Sequence, residues 1–207
     1  MSILFGTLRP CGVVITREHL LKMAFPTKRF ASDGLAVRSA GRLGMGIQPF
    51  FTNERSYLER EPRIDEEANM ITFDGRLDNY AELMQALQIG EKDVPDSVIV
   101  LAAFRCWGEE CFAHFVGDWA LALWAANNQT LYLARDHAGT RSLYFKNLNG
   151  HIEWSTYVET LLSGTPASPL DERYVASYLG CQMIRDLTPF RDILCVRPGN
   201  TMVDGSV

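Results

Sequence analysis

The residues that could do chemistry together are concentrated in one short polar segment of the chain. It contains Arg135, Asp136, His137 and Arg141. An adjacent carboxylate and imidazole could exchange a proton with a substrate, and guanidinium groups could hold a phosphate. The alternative is that these side chains form buried ion pairs that support the surrounding structure. The elements around the segment must decide between the two interpretations.

Other reactive residue types show no spacing that is typical of a site. The histidines outside the polar segment (His19, His114, His151) are isolated and lack metal-ligand spacing. The five cysteines include no Cys-x-x-Cys pair, so we expect reduced, mostly buried thiols rather than a zinc site or a disulfide framework. The sequence therefore predicts no metal site.

Two strand-like runs must position the polar segment. Residues 119–124 read Trp-Ala-Leu-Ala-Leu-Trp, which is apolar on both faces, and residues 131–134 return after a turn rich in Asn and Gln. A strand that is apolar on both faces is covered on both faces. The hairpin therefore indicates a layered fold rather than a solvated sheet.

The remaining elements predict an α+β fold with two packed sheets. Further strands are expected at residues 3–8, 12–15, 43–51, 70–73, 142–146, 151–155 and 201–203. Helices are expected after Asn79, after Pro95, over 110–115, over 158–162 ending at Ser163-Gly164, and from Ser168 to Gly180.

Length and charge limit the possible functions. A chain of 207 residues fits one domain over 1–207, with a tail at about 188–207. The net charge of −5 argues against nucleic acid and anionic membranes as partners. No apolar run reaches the ~20 residues of a membrane span, and the N-terminus lacks the features of a signal peptide. These observations predict a cytoplasmic protein.

Three sequence blocks resemble a known family. They are FDGRLDNYAEL from Phe73, GDWALALW from Gly117, and LARDHAGTRSLY from Leu133. In this order they are similar to the N-terminal glutaminase domain of asparagine synthetase, a class II glutamine amidotransferase. The wording FDGRLDN is closer to that of related amide ligases such as β-lactam synthetases and lasso-peptide cyclases. The resemblance implies an N-terminal-nucleophile hydrolase fold, a four-layer αββα sandwich in which the polar segment is structural.

The resemblance also implies a set of site positions. The nucleophile, a cysteine freed when Met1 is removed, corresponds to Ser2. The oxyanion hole corresponds to Asp74 and Gly75, and the aspartate that pairs with the α-ammonium of glutamine corresponds to Asp96. Each position also has a purely structural interpretation: a strand start for Ser2, an Asp-Gly turn, and a helix N-terminal acid for Asp96.

Three roles that the family's reaction needs, those of nucleophile, oxyanion donor and carboxylate anchor, are not matched by the residues of this sequence. A serine hydroxyl is far less ionised than a thiol. An ionised Asp74 cannot donate a hydrogen bond to an oxyanion, and loss of one such donor costs about 10²–10³ in rate. The segment expected to hold the glutamine carboxylate, residues 43–49, contains no arginine.

The hypothesis that follows is a degenerate glutaminase-like domain with a structural or interaction role for an amide-forming synthetase. Its expected partners are a synthetase-like domain or protein and a second copy of the chain. The alternative is an active amidase or glutaminase that uses Ser2. We expect no cofactor in this chain, and ATP and Mg²⁺ only in an attached or partner synthetase domain.

Overall fold

Two antiparallel sheets form the centre of the molecule. The computed structural model describes residues 1–163, 168–182 and 184–204. Within these ranges the strands are β1 (Ile3–Leu8), β2 (Ala36–Ala40), β3 (Leu43–Gln48), β4 (Arg63–Ile64), β5 (Met70–Leu77), β6 (Gly117–Ala125), β7 (Thr130–Arg135), β8 (Tyr144–Leu148), β9 (His151–Ser155), β10 (Leu194–Cys195) and β11 (Thr201–Val203). One sheet has the order β10-β8-β9-β1-β3-β2, and the other has the order β11-β7-β6-β5-β4.

The described residues form five α-helices and three 3₁₀ helices. They are α1 (Arg17–Ala24), α2 (Tyr80–Ala86), α3 (Asp96–Trp107), α4 (Val158–Leu162) and α5 (Glu172–Leu179), with 3₁₀ helices at Phe25–Phe30, Arg55–Leu58 and Gly108–His114. Helices α2 and α3 cover the five-stranded sheet, and α1 and α4 cover the six-stranded sheet. The layers are therefore α, β, β and α, which confirms the predicted fold class.

Strand β6 shows why this sequence forms a layered fold. Its alternate residues Ala120, Ala122 and Trp124 belong to the core between the sheets, together with Met45 of β3 and Trp154 of β9. The intervening residues of β6 face the helical layer instead, in a second core with α2 and α3. The strand is buried on both faces, as its apolar pattern predicts.

Several predicted boundaries differ from the structure. Residues 12–15 are not a strand, although the backbone N–H of Ile15 donates to Gly41 O at 2.8 Å. Strand β3 ends before Pro49, which has no N–H to continue the ladder. The helix expected from Ser168 begins at Glu172, because Asp171 is its N-cap and accepts from the backbone of two first-turn residues.

Two elements of the structure lie in segments whose sequence shows no clear helix or strand pattern. Helix α1 and strand β2 were not predicted, and the expected helix end at Gly164 lies outside the described residues. The predicted tail adds β10 to one sheet and β11 to the other.

All five cysteines are free, but Cys11, Cys106 and Cys181 are exposed, so the expectation of mostly buried thiols was wrong. No helix among the described residues has the length and apolarity to cross a membrane.

Candidate active site

The four predicted site residues line one pocket. Ser2, Asp74, Gly75 and Asp96 all border a cavity of about 340 Å³ at one end of the two sheets. Ser2 directly precedes β1, Asp74 and Gly75 lie in β5, and Asp96 is the first residue of α3. Elements from both sheets and one outer layer thus bring together residues that are distant in sequence.

The backbone nitrogen of Ser2 is held by Asp74. It donates to Asp74 Oδ1 at 2.8 Å. The Ser2 hydroxyl oxygen accepts from the backbone N–H of Phe50 at 3.1 Å, and Ser2 O accepts from Thr156 Oγ1 at 3.4 Å. Both sides of residue 2 are therefore fixed in place, and its nitrogen has a carboxylate as its direct partner.

Asp74 is an acceptor at the position predicted for an oxyanion donor. Its side chain is buried, with 3% of the residue exposed. Burial raises the pKa of Asp74, and the guanidinium of Arg141 and the hydrogen bond from Ser2 oppose that rise. The second oxygen, Oδ2, lies 3.7 Å from Arg141 Nη1 and has no hydrogen-bond partner. The two groups that approach the Asp74 side chain, the nitrogen of Ser2 and the guanidinium of Arg141, are both hydrogen-bond donors. Asp74 therefore acts as an acceptor, as a carboxylate does.

Gly75 occupies a position that only glycine fits. Its φ is +151°, and a Cβ there would lie 2.6 Å from the Cα of Trp119 on the neighbouring strand β6. An L-residue rarely adopts this backbone conformation. The requirement is structural, so Gly75 would be needed whether or not the pocket is catalytic.

Asp96 is neutralised by a residue of the chain itself. Its Oδ1 accepts from Arg55 Nε at 3.0 Å, and Oδ2 accepts from the backbone N–H of Leu77 at 3.4 Å. Arg55 also donates to Leu77 O at 2.9 Å. The predicted ammonium-binding carboxylate therefore already has a cationic partner, Arg55, which no sequence pattern indicated.

The polar segment at residues 135–141 is mostly structural, but its last member reaches the pocket. Asp136 is fully buried and accepts from the backbone of Trp119, Thr140 and Arg141. Arg135 donates to the carbonyls of Val196 and Gly139. The expected support for the sheet therefore comes from hydrogen bonds to backbone, and no ion pair joins Arg135 to Asp136 in the described structure.

Arginines reach the pocket from segments other than residues 43–49, where the family resemblance predicts the carboxylate anchor. The segment 43–49 carries none, and its first part is the buried strand β3. Arg60 stands at the exposed rim, where Nη1 donates to the carbonyls of Tyr57 and Glu59. Arg141 is closer to the interior, beside Asp74. The pocket thus contains guanidinium groups, but each contacts a group of the chain.

Two glutamates complete the pocket lining. Glu59 accepts from the backbone N–H of Ser97 at 3.0 Å and from its hydroxyl. Glu61 Oε2 accepts from the backbone N–H of Phe73 at 2.7 Å, and Oε1 has no hydrogen-bond partner. Burial is the main cause that raises the pKa of Glu61 well above its usual range, and Glu59 adds to the effect. No local sequence signal identified either residue.

The arrangement differs from what an N-terminal-nucleophile amide hydrolase needs. A hydrolase of the expected kind needs a free α-amine as base and donors that face the oxyanion. Here the nitrogen of Ser2 faces a carboxylate, and the predicted donor position holds that same carboxylate. Across residues 1–163, 168–182 and 184–204, no group of three or more His, Cys, Asp or Glu residues is placed to hold a metal ion.

Known proteins resemble this chain in sequence and in fold. Over 123 residues it is 26% identical to asparagine synthetase [glutamine-hydrolyzing] 1 of Bacillus subtilis, covering 58% of this chain and 20% of that protein. Over 110 residues it is 31% identical to amidase chyE of Penicillium rubens, covering 52% of this chain and 16% of that protein. These matches thus span about a fifth or less of each relative.

A solved structure and a family model give the wider comparison. Glutamine phosphoribosylpyrophosphate amidotransferase from B. subtilis superposes with a TM-score of 0.65 at 12% identity, covering 97% of this chain and 46% of that one. That likeness supports the N-terminal-nucleophile hydrolase fold alone. The family model described as "Glutamine amidotransferase domain" matches residues 40–206. The chain therefore belongs to the class II glutamine amidotransferase domains, and it is related to the N-terminal domain of asparagine synthetase.

Proposed function

We propose that this domain does not hydrolyse glutamine and serves as a structural or interaction domain for an amide-forming synthetase. The observation that carries the proposal is the 2.8 Å hydrogen bond from the nitrogen of Ser2 to Asp74 Oδ1. This contact affects both the base and the oxyanion hole that the family's reaction needs.

The contact disables the base whether or not Met1 is removed. While Met1 is present, the Ser2 nitrogen is a peptide amide and cannot accept a proton. After removal of Met1, the nitrogen becomes an α-amine whose ordinary pKa is about 7.7–8. A carboxylate at hydrogen-bond distance favours the ammonium form of that amine. An ammonium cannot take the proton of the Ser2 hydroxyl, so the nucleophile stays unactivated.

The same carboxylate opposes the charge that forms in the reaction. A tetrahedral intermediate carries an oxyanion, which needs N–H or O–H donors. Asp74 instead accepts from Ser2 and faces Arg141. The engagement of Asp96 by Arg55 removes a further group that would orient glutamine.

The interaction role is supported by an exposed apolar helix face. No residue of α5 is buried, and Tyr178 and Leu179 are 63% and 76% exposed. Exposed apolar patches of this kind are typical of contact surfaces. In this proposal ATP and Mg²⁺ belong to the synthetase partner, and the five free cysteines fit a cytoplasmic location.

Ammonia release from L-glutamine tests the loss of hydrolysis. Intact mass first determines whether Met1 is present. We then expect the native chain and the Ser2→Cys variant to release no more ammonia than the Ser2→Ala variant. Release by the native chain that is lost on Ser2→Ala would refute the proposal, and release by Ser2→Cys would refute the argument about Asp74. Sedimentation velocity tests the expected homodimer, and a monomer at all concentrations would contradict that part.

A second candidate function is an amidase that uses Ser2 on another substrate. The observation in its favour is that Ser2 borders an open pocket with apolar walls. This function requires removal of Met1, so a retained methionine in the intact mass excludes it. If Met1 is absent, ammonia release from a panel of simple primary amides that disappears on Ser2→Ala would favour it over a structural role.

A further inference from the structure

The charge of the pocket differs from what a free amino-acid carboxylate needs. The cationic residues of its lining are Arg60, Arg141 and the N-terminal residue Met1. It also includes five carboxyl groups: Asp33, Glu59, Glu61, Asp74 and Asp96. Carboxyl groups thus outnumber the cationic residues, which favours a cationic ligand over an anionic one.

Three of the five carboxyl groups already have partners within the chain. Glu59 accepts from both donors of Ser97, and Asp96 accepts from Arg55. Asp33 lies at the exposed rim and accepts from the backbone N–H of Phe51 at 2.8 Å. These groups hold the pocket wall together and leave no inner oxygen unpaired.

The other two carboxyl groups each keep one oxygen without a hydrogen bond. Asp74 Oδ2 has only the guanidinium of Arg141, at 3.7 Å. Glu61 Oε1 has no hydrogen-bond partner, and only 8% of the residue is exposed. A buried carboxyl oxygen without a partner is costly unless something else supplies a donor. Glu61 and Asp74 border the same pocket.

We propose that this pocket binds a primary amine with an apolar body, whose ammonium group donates to Glu61 and Asp74. An ammonium offers three donors and one positive charge, so it can satisfy both unpartnered oxygens at once. A carboxylate ligand would meet the same oxygens with like charge. A metal ion would need a convergent ligand set, and none is found among the described residues. The inference rests on the proposed function, since a glutaminase would keep this space for glutamine.

The walls and the volume of the pocket fit the apolar body of such a ligand. Phe50, Phe51 and Phe73 line it, together with Leu35 and Ile47. Its volume of about 340 Å³ lies at the small end of ligand pockets. An unbranched amine of about five carbons would place its chain against these side chains. The unpartnered carboxyl oxygens specify the amine head group of the ligand, and the apolar walls and the volume of the pocket specify the length of its chain.

Three probes of equal length separate charge from apolar burial. Pentylamine, 1-pentanol and pentanoate are titrated into the full chain at pH 7.5, with binding followed by ligand-observed NMR. We expect pentylamine to bind about tenfold more tightly than 1-pentanol, because a hydrogen bond to a charged group contributes that much. Pentanoate should bind most weakly of the three.

Two variants locate the head group. Glu61→Gln keeps the acceptor for the N–H of Phe73 and removes the group that can ionise against an ammonium, so pentylamine binding should weaken about tenfold. Glu82→Gln, on the exposed face of α2, is the matched control and should leave binding unchanged. A thermal melt of each variant confirms that it is folded.

Several outcomes would overturn the inference. Equal binding of amine and alcohol, a preference for pentanoate, or unchanged binding in Glu61→Gln would each do so. Displacement of the amine by MgCl₂ alone would assign the site to a metal ion instead. Ammonia release from glutamine is measured in a separate assay, and hydrolysis there would refute the proposed function. If the chain has no glutaminase activity and also does not bind pentylamine, only the amine site is refuted.

Discussion

At the scale of single residues, the polarity of Asp74 decides what the pocket can do. Its two oxygens face the nitrogen of Ser2 and the guanidinium of Arg141, so every close partner is a donor. An amide at this position would offer both an acceptor and a donor, whereas a carboxylate offers only acceptors. The difference between the two side chains is small in volume, but it reverses the response of the pocket to a developing negative charge.

Glu61 should make the stability of the protein depend on pH. Burial raises its pKa in the folded state, so the folded chain holds this proton more tightly than the unfolded chain does. The stabilising contribution is complete below the unfolded pKa, about 4.3, and is lost as pH rises through the folded pKa. The Glu61→Gln side chain does not ionise, so the variant lacks this pH-dependent contribution to stability. Its free energy of unfolding should therefore exceed that of the native chain increasingly from pH 5 to pH 8, as measured by urea unfolding.

The comparison isolates Glu61 from other buried acids. Asp74, Asp96 and Glu59 also have raised pKa values, but they are present in both proteins and largely cancel in the difference. Glu82→Gln should run parallel to the native chain across the same pH range. A difference between Glu61→Gln and the native chain that does not vary with pH would contradict the assignment.

At the scale of elements, the sequence correctly predicted the strands and helices that carry a long apolar pattern of their own. Strand β6 and helix α3 carry long apolar patterns, and both were predicted within a few residues. Helix α1 was missed because its apolar side is short and pairs with distant strands: Leu20 and Met23 pack against Phe5 of β1. Strand β2 was missed because its residues are half-buried or exposed, so they show no alternation.

Gly6 should be essential because the sheet leaves no room beside it. A Cβ at this position would lie 2.6 Å from Gly44 O on β3 and would also overlap the ring of Trp154. The carbonyl belongs to the backbone of a central pair of strands and cannot move alone. We expect Gly6→Ala to lower the free energy of unfolding by at least about 1–3 kcal/mol, the usual cost of overpacking.

Gly90 provides the matched control for this substitution. A Cβ there would meet no atom within 4 Å. Gly90→Ala should therefore change stability by no more than about 0.5 kcal/mol in either direction. Urea unfolding of the two variants measures both effects. Equal stability of Gly6→Ala and Gly90→Ala would show that the sheet adjusts to the methyl group.

At the scale of the whole molecule, the candidate site depends on contacts between distant segments. Resemblance to a family placed Ser2, Asp74 and Asp96 in the site, and the structure brings them to one pocket. Arg55 and Glu61 were missed because nothing in their own segment indicates their partners. Arg55 contacts Asp96 across 41 residues of sequence, a pairing that only the packed layers determine.

The core between the sheets should make the two sheets unfold together. Leu133 of β7 is fully buried in that core, beside residues of the opposite sheet such as Leu4 and Trp154. Leu133→Ala removes contacts that join the sheets, so the free energy of unfolding should fall by about 2–5 kcal/mol. Far-ultraviolet circular dichroism and tryptophan fluorescence should report one coincident transition. In the control Leu179→Ala, where the side chain is on an exposed face, the change should stay within about 0.5 kcal/mol. Separate transitions in the two signals would mean that the sheets are held together by less than this shared core, and the pocket between them would then lack the rigid frame that fixes Ser2 against Asp74.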